Sequence, residues 1–509
     1  MASETSSAML TDLYQITMAQ GYHTAGLEAM WGCFHLSFRE NPFGGGFAIA
    51  CGLEQAVDWL QSWRFSAADV AYLASCRGVD GSPLFTDEFL GGLATMRLDL
   101  DVDAVAEGTV VFPGEPLVRV CGPLPQCQLV ETALLNAMNF HTLIATKAAR
   151  CRLSAREDPL LEFGLRRAQG PDGGVSASRA AYIGGCDSTS NVLAAQRFGI
   201  PAAGTHAHSW VMAFEGEQAA FDAYVRALPN NATLLVDTYD TLEGVRRAVK
   251  AGEWLRAHGQ ELLGIRIDSG DLAWLSREAR AILDDAGFAS TRIVASNELD
   301  EYLIASLKEQ GACIDVWGVG TKLVTGWDQP ALGGVYKLSA IRHPGGEWVP
   351  RIKLSEQTAK ITTPGVLGIR RFIRPDGSWA GDMIYDISQG SAPSHTMIDP
   401  TDQTRRKTFE RDQVAVELLE PVMRGGEVCW ESPPIDQTRS RALAQVAALD
   451  PSIRRFMHPH AYPVGLERDL HDLRSALVLA ARGIRPDEAV PSAHAIAQAR
   501  ALRSDEETK

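Results

Sequence analysis

Between residues 161 and 324 the chain repeats one pattern of apolar and polar positions. A short apolar run is followed by polar residues and glycine, and then by a stretch with helical periodicity. The apolar runs of the six units are LLEFGL, GIPAAG, TLLV, LGIRI, RIVA and IDVWGVG. Helices are predicted between them at 188–198, 216–228, 242–258, 272–286 and 299–310. Strands that alternate with helices predict a parallel sheet.

Polar residues or glycine follow nearly every one of these predicted strands. Proteins with α/β folds build their active sites at the carboxyl ends of parallel strands. The pattern therefore predicts an irregular (β/α) barrel with one shared polar mouth, which need not contain eight regular strands. The residues at the strand ends are Arg166 and Arg167, Thr205 to Ser209, Asp237 and Thr238, Asp268 to Asp271, Ser296 and Asn297, and Gly318 to Lys322.

The sequence on either side of this region has a different pattern. Residues 98–120 and 333–377 alternate apolar and polar positions around Gly and Pro turns, with a hairpin turn predicted at 344–346. We expect these flanks to pair into one discontinuous β-rich domain, an open-faced sandwich beside the barrel. The stretches 466–483 and 492–502 are predicted amphipathic helices, followed by a charged, frayed tail at 503–509. The predicted organisation is a disordered N-terminus at 1–8, a β-rich domain at 9–125 with 333–440, a barrel at 126–332 and a helical extension at 441–509.

Length and composition exclude several classes of protein. A chain of 509 residues is long enough for about three domains. With 45% hydrophobic and 22% charged residues it is neither disordered, collagenous nor disulfide-dense. The net charge of −15 argues against nucleic acid or an anionic membrane as the main partner. An anionic ligand must therefore find a locally basic pocket.

The cysteines and the N-terminal sequence bear on the compartment. The nine cysteines are odd in number and scattered, and they contain no CxxC pair, which argues against a disulfide framework or a zinc ribbon. The N-terminal sequence MASETSSAMLTDLYQ has an acidic residue where a signal peptide carries positive charge. No stretch approaches 18 consecutive apolar residues. We expect a cytoplasmic protein.

Several motifs run in order from residue 10 to residue 338: LTDLYQITMAQGY, NPFGGGFAIACGLE, EFGLRRAQGPDGG, GTHAHSWVM, RIDSGDL, GVGTKLVT and LGGVYKL, and a further stretch, PHAYPVGL, lies at 459–466. Together they resemble the motifs of the nicotinate phosphoribosyltransferase family. The resemblance implies an enzyme that joins nicotinate to 5-phosphoribosyl 1-diphosphate (PRPP) with coupled ATP hydrolysis, as an ADP-forming ligase. It also implies Mg²⁺ or Mn²⁺ as cofactor and a homodimer as the assembly.

The resemblance implies a phosphorylated histidine in the motif GTHAHS. A histidine near a strand end is by itself more often structural than catalytic. The family's Gly-Thr-x-Ala-His-Ser pattern maps this role onto His208, with Thr205 as a neighbouring contact. A neutral imidazole is nucleophilic near neutral pH, and an adjacent hydroxyl or carboxylate can fix its tautomer. His206 is a second imidazole two residues away, so sequence leaves open which ring is the nucleophile.

Other motif residues carry charge or permit close approach of an anion. Guanidinium groups bind carboxylates and phosphates bidentately, which favours Arg166 as the partner of the nicotinate carboxylate and Arg167 as the second candidate. Tyr14 maps to a family position that touches the pyridine ring. The spacing in RIDSGDL puts Arg266 and Asp268 on one side of a strand, while Ser269 and Asp271 also suit a helix N-cap. Glycines of GVGT allow backbone N–H groups to cradle a phosphate of PRPP at Thr321.

These considerations give a complete candidate site. The predicted catalytic residues are His208 and Asp268, and the metal ligands are left unassigned. The predicted substrate-binding residues are Tyr14, Arg166, Arg167, Thr205, Ser209, Arg266, Ser269, Gly270, Asp271, Asn297, Gly318, Gly320 and Thr321. Two alternatives stay open at this point: a phosphoribosyltransferase specific for nicotinamide, and a non-catalytic relative that only binds nucleotides or phosphosugars.

Overall fold

The computed structural model describes residues 7–357, 360–390 and 394–484. Its centre is a six-stranded parallel sheet that curls into a half-barrel. Strand residues such as Leu234, Ile265, Ile293 and Trp317 are fully buried, as expected where helices cover a parallel sheet. The strands in spatial order are Ser188–Thr189, Leu160–Glu162, Val316–Val319, Arg292–Ala295, Gly264–Ile267 and Thr233–Leu235.

Five of the six predicted strands are present, and the exception has a chemical cause. The run GIPAAG forms only a single bridge, between Ala202 and Thr189. Pro201 has no N–H to donate, so a regular ladder cannot run through it. The neighbouring strand is instead Ser188–Thr189, which was predicted to begin a helix. The helix itself starts at Val192, after the N-cap Asn191.

Helices follow the strands of the half-barrel as the periodicity predicts. Several begin at an aspartate whose carboxylate accepts the backbone N–H three residues later, as Asp240, Asp271 and Asp300 do. Asp271 is therefore the N-cap of the helix after RIDSGDL. The helices of this region are Gly170–Gly184, Val192–Phe198, His208–Met212, Glu217–Ala227, Thr241–Ala257, Leu272–Asp285, Glu301–Glu309 and Thr321–Val324, with a 3-10 turn at Leu165–Arg167.

The two flanks meet in a seven-stranded antiparallel sheet. Strand Trp31–Phe38 pairs on one side with Gly334–Arg342 and on the other with Val118–Pro123, so distant parts of the chain share one sheet, as predicted. The predicted hairpin turn is closed by the Gly346 N–H, which donates to the His343 carbonyl. The remaining strands of the sheet are Val349–Pro350, Asp101–Val105, Leu419–Arg424 and Glu427–Val428, and a separate pair joins Ala48–Ile49 to Val110–Val111.

The C-terminal part adds a mixed six-stranded sheet. The sequence pattern did not separate this sheet from the seven-stranded antiparallel sheet. Strand Val464–Glu467 lies in the interior of the mixed sheet, although residues 441–509 were predicted to be only helical. Four residues directly before a helix are too few to break a helical periodicity, which is why the strand was missed. The other strands are Arg406–Thr408, Thr396–Ile398, Trp379–Asp386, Leu367–Ile373 and Val414–Glu417.

The terminal predictions fall partly outside the described residues. The helix predicted at 466–483 is present as Arg468–Ala481, with the Glu467 carboxylate as its N-cap. The helix predicted at 492–502 and the tail at 503–509 lie outside, as do residues 1–6. Ser7–Met9 forms a 3-10 turn in which Ala8 is buried, within the stretch 1–8 that was predicted to be disordered.

One long helix joins the two cores. The N-terminal half of Glu131–Ala155 places Leu134 and Met138 in the core of the antiparallel sheet, and its C-terminal half places Ile144 and Ala148 in the core of the half-barrel. No helix in the described ranges is both long and apolar enough to span a membrane. The remaining helices are Leu13–Thr24, Leu53–Ser62, Ala67–Ser75, Asp87–Thr95, Leu124–Leu129 and Ile435–Ala448, with 3-10 turns at Pro42–Gly44 and Ile387–Gln389.

Candidate active site

The carboxyl ends of the parallel strands surround a cavity of about 490 Å³, called the central cavity below. Since parallel strands end at one edge of a sheet, residues far apart in sequence meet here. The cavity collects nine of the predicted site residues: Arg166, Arg167, Thr205, Arg266, Asp268, Asn297, Gly318, Gly320 and Thr321.

A buried carboxylate shapes the loop after the first strand. Glu162 accepts hydrogen bonds from the Gly164 N–H, from Ser178 Oγ at 2.8 Å and from Thr189 Oγ1 at 2.5 Å. These bonds fix the turn that presents Arg166 and Arg167 to the cavity. Both arginines are exposed, and neither guanidinium group makes a hydrogen bond or an ion pair with any residue in the described part of the chain. Their guanidinium groups are therefore available to an anionic ligand.

Arg266 is the most buried cation of the central cavity. Its Nη1 donates to Thr205 Oγ1 at 2.7 Å, while its buried Nε has no hydrogen-bond partner among the described residues. Burial lowers the pKa of Arg266, and the carboxylates of Asp268 and Asp237 oppose that shift. A guanidinium keeps its charge at neutral pH. Arg266 thus offers a fixed positive group at the floor of the mouth.

Asp237 organises the acidic side of the site, although sequence marked it only as a strand-end residue. Its side chain is 1% exposed. Oδ2 accepts from the Asp268 N–H at 2.9 Å and from Ser269 Oγ at 2.6 Å. Asp268 in turn accepts a hydrogen bond from Ser296 Oγ. The pair of carboxylates is therefore held in place by neighbouring strand ends.

The two histidines of GTHAHS have different surroundings. His206 is buried, and its Nε2 lies 3.1 Å from the Leu235 N–H, which it can accept from only as a neutral ring. Burial lowers the pKa of His206 to about 4. The His208 side chain is 40% exposed, with Nδ1 3.1 Å from Thr238 Oγ1 and Nε2 4.0 Å from Asp237 Oδ1. His208 is the accessible imidazole and stands at the rim of the cavity, next to the lining residue Ala207.

The opposite wall is a loop with unusual backbone geometry. Asn297 and Glu298 have φ values of 99° and 47°, which residues with a side chain rarely adopt. The Glu298 carboxylate accepts a hydrogen bond from Thr321 Oγ1 at 3.2 Å. Gly318 has no room for a side chain, because a Cβ there would lie 2.8 Å from the Phe163 ring. This wall brings Thr321 and backbone of the glycine loop close to the cavity.

Comparisons with known proteins identify the family of the chain. Profiles of the nicotinate phosphoribosyltransferase (NAPRTase) N-terminal domain, family and C-terminal domain match residues 9–139, 160–349 and 368–474. Nicotinate phosphoribosyltransferase of Bacillus subtilis (strain 168) is 40% identical over 486 residues, which cover 93% of this chain and 97% of the relative. The chain belongs to the nicotinate phosphoribosyltransferase family.

Two human comparisons extend this result. Nicotinate phosphoribosyltransferase of Homo sapiens is 38% identical over 526 residues, which cover 92% of this chain and 96% of the human protein. The crystal structure of human Nicotinic Acid Phosphoribosyltransferase has a TM-score of 0.79 at 35% identity and covers 92% of this chain and 99% of its own. The family relationship therefore extends over nearly the whole fold.

The other residues predicted from the family motifs lie outside the lining of the central cavity. Ser209 follows His208 on the exposed side of a short helix, and Ser269, Gly270 and Asp271 form the exposed turn that starts the helix Leu272–Asp285. Tyr14 lies on the helix Leu13–Thr24 with 47% of its surface exposed. Tyr14 does not line the central cavity of its own chain.

Sequence reasoning also missed several residues that line the cavity. Phe163, Ser190 and Glu298 contribute to its walls. Phe163 was visible as part of EFGLRRAQGPDGG, and the position of Glu298 directly after SN at a strand end was the available signal. Neither side chain could be assigned a direction until the loops were placed.

The carboxylates of the central cavity are the candidate ligands for a metal ion. The described residues contain no cluster of three or more His, Cys, Asp or Glu arranged to hold a metal ion. Asp268 and Glu298 are the carboxylates that line the central cavity. Mg²⁺ is commonly held by one or two carboxylates together with substrate phosphates and water. These two side chains fit a Mg²⁺ or Mn²⁺ ion that arrives with a phosphorylated substrate.

Proposed function

We propose that the protein is a nicotinate phosphoribosyltransferase that forms nicotinate mononucleotide and diphosphate from nicotinate and PRPP, with ATP hydrolysis coupled through a phosphohistidine at His208. The observation that carries the proposal is one cavity that combines arginines and a glycine loop from neighbouring strand ends, with an accessible histidine directly after the lining residue Ala207. The family of the chain supports the same reaction.

Different groups of residues in the cavity suit different parts of the substrates. Arg166 and Arg167 are unpaired cations, which suit the carboxylate of nicotinate, and the Phe163 ring lines the same wall, where it can pack against a pyridine. Arg266 and Thr321, with the backbone around Gly320, suit the phosphates of PRPP. A bound pyridine would then lie beside the ribose carbon that it attacks.

The transfer itself needs positioning and charge stabilisation more than a protein nucleophile. The pyridine nitrogen uses its lone pair to form a bond to ribosyl C1, and the bond from C1 to diphosphate breaks with its electron pair on the leaving oxygen. Asp268, fixed by Ser296 and Asp237, can stabilise the positive charge that develops on the ribose. Mg²⁺ or Mn²⁺ held by Asp268 and Glu298 would supply charge neutralisation to the departing diphosphate.

The ATP half-reaction uses the histidine at the rim. A neutral ring nitrogen of His208 attacks the γ-phosphorus of ATP, and the bond to ADP breaks with its electron pair on ADP. Thr238 and Asp237 flank the two ring nitrogens, so they can orient the ring and stabilise it once it carries the phosphoryl group. Water later hydrolyses the phosphohistidine. His206 cannot take this role while its Nε2 is bonded to the backbone of Leu235.

Labelling with γ-³²P ATP tests the assignment. His208→Ala should abolish both ATP hydrolysis and the acid-labile, base-stable label, while slow ATP-independent transfer remains. His206→Gln is the matched control, because it alters the neighbouring imidazole and should keep the label. Labelling that persists in His208→Ala but is lost in His206→Gln would assign the nucleophile to His206.

We further propose that the enzyme acts as a cytoplasmic homodimer. The family position of Tyr14 touches the pyridine ring, yet Tyr14 is exposed and away from the cavity of its own chain. It could meet the ring only in the cavity of a second copy. Mixing Tyr14→Ala with His208→Ala, neither of which should catalyse efficient ATP-coupled transfer alone, should then restore that activity, because hybrid dimers contain one cavity with both residues. Failure of hybrids that form to regain activity would contradict this arrangement.

A further inference from the structure

A second cavity, of about 880 Å³, lies between the C-terminal sheet and the loop 449–463. One side is formed by strand Trp379–Asp386, the turn before it and strand Arg406–Thr408. The other side is formed by the loop that follows the helix Ile435–Ala448. It has no lining residue in common with the central cavity. We call it the basic cavity.

The basic cavity concentrates positive charge in an acidic protein. Its permanently charged residues are four cations, Arg374, Lys407, Arg454 and Arg455, and one carboxylate, Asp450. The central cavity, whose proposed substrates are anions, sets three arginines against two carboxylates. The basic cavity therefore has a larger excess of cations over carboxylates than the central cavity, in a chain with a net charge of −15.

The cations of this cavity are held by neutral groups. Arg374 Nη1 donates to Ser378 Oγ at 3.0 Å and to the Trp379 carbonyl at 2.8 Å, and Lys407 Nζ donates to the Ala380 carbonyl. Neutral acceptors orient a cation without cancelling its charge. Burial and, to a lesser extent, the charge of Arg374 lower the pKa of Lys407. The charge of Arg374 also acts on the carboxylate of Asp376, which accepts a hydrogen bond from Ser378 Oγ at 2.6 Å and does not line the cavity.

The loop leaves its own arginines unpaired. Neither Arg454 nor Arg455 forms a hydrogen bond or an ion pair with any of the residues described, and the carboxylate of Asp450 is engaged by the Ser452 N–H at 2.8 Å and Ser452 Oγ at 2.6 Å. The single carboxylate of the lining thus closes a turn, and its charge also interacts with those of His460 and Arg454, so the four cations still outnumber it. The positive charge remains available to a ligand.

The loop is also anchored, so the arginines have a defined position. Ile453 is buried, and the Phe456 ring lies 5.8 Å from the ring of Tyr302 and 4.8 Å from the guanidinium of Arg150. Ligand binding would then cost little ordering of the chain, which favours affinity.

We propose that the basic cavity is a second binding site, for a small molecule that carries two or more phosphate groups. Guanidinium groups bind phosphate oxygens bidentately, and four cations exceed what one phosphate dianion would balance. The volume lies in the range that accommodates a nucleotide-sized ligand. The negative charge of the whole chain opposes a long polyanion such as nucleic acid.

Isothermal titration calorimetry of the full chain with inorganic tripolyphosphate tests the proposal. The wild type should bind the probe at more than one site, because the central cavity and a further cavity lined by Arg39, Lys337, Lys360 and Arg474 also carry cations. Arg266→Ala, which weakens the central cavity, should retain the site in the basic cavity. Arg454→Ser with Arg455→Ser should weaken that site by at least about a hundredfold, because each lost charge-assisted contact weakens binding about tenfold or more. The matched control is Arg226→Ser with Arg246→Ser, which removes two exposed arginines outside both cavities and should leave both sites intact.

Two results would overturn the proposal. One is loss of all submillimolar binding in Arg266→Ala alone, which would assign the probe to the central cavity. The other is an isotherm of the Arg454→Ser and Arg455→Ser protein that matches that of the control. The protein with Arg454→Ser and Arg455→Ser should have the circular dichroism spectrum and the transfer activity of the wild type, because neither arginine is part of the proposed catalytic machinery. These two measurements show that this variant is folded.

Discussion

Replacing His206 by glutamine should make the loop that carries Thr205 and His208 insensitive to mild acid. The neutral His206 ring accepts a hydrogen bond from the Leu235 N–H and so ties the loop to the edge strand of the half-barrel. Protonation would turn that acceptor into a donor and break the tie. A glutamine carbonyl could still accept the N–H, but it does not titrate.

The size of the effect follows from the pKa of His206, which falls from an ordinary 6.5 to about 4 on folding. Because the folded pKa is the lower one, the opened form binds the proton first as the pH falls. The stabilisation is complete above about pH 6.5 and is lost progressively down to about pH 4. Between pH 7.5 and pH 5 the loss is about 2 kcal/mol.

Hydrogen exchange at the amide of Leu235 is a direct assay. The free energy of opening, measured at pH 7.5 and pH 5, should fall by about 2 kcal/mol more in the wild type than in His206→Gln. The variant also loses the ring contact with Tyr224, whose centroid lies 4.7 Å away, but this loss is the same at both pH values. Burial also lowers the pKa values of His35 and His141. Both histidines are present in the wild type and in the variant, so their contributions to the pH dependence cancel in the comparison. Equal pH dependence in the two proteins would refute the assignment of His206 as a buried neutral acceptor.

Two further substitutions test the central cavity. Arg166→Gln should lower kcat/KM for nicotinate relative to nicotinamide by roughly 10- to 150-fold at fixed PRPP, because only the acid loses a charge-assisted contact of about 1.5–3 kcal/mol; an equal loss for both substrates would place Arg166 on the phosphates of PRPP instead. Asp237→Asn should slow ATP hydrolysis by roughly 10- to 150-fold, because it removes the negative charge beside His208, and unchanged labelling rates in quenched-flow measurements would show that Asp237 only packs the loop.

The sequence by itself determined the half-barrel and the edge at which the site lies. Apolar runs such as TLLV and RIVA can only be buried strands once helices follow each of them, and parallel strands must end at one edge. Local sequence also marked Asp271 as an N-cap candidate, since a cap needs only the next three residues, and the structure confirms that cap. These features depend on neighbours in the chain.

Features that depend on contacts between distant segments of the chain were decided only by the tertiary structure. The strand Val464–Glu467 exists because it lies between strands Thr396–Ile398 and Trp379–Asp386, which no local periodicity records. The surroundings of the two histidines differ only because the fold buries His206 against Leu235 and leaves the His208 side chain 40% exposed. Burial and hydrogen-bond partners set the pKa and the accessibility of an imidazole, and both are supplied by segments that pack against it from elsewhere in the chain.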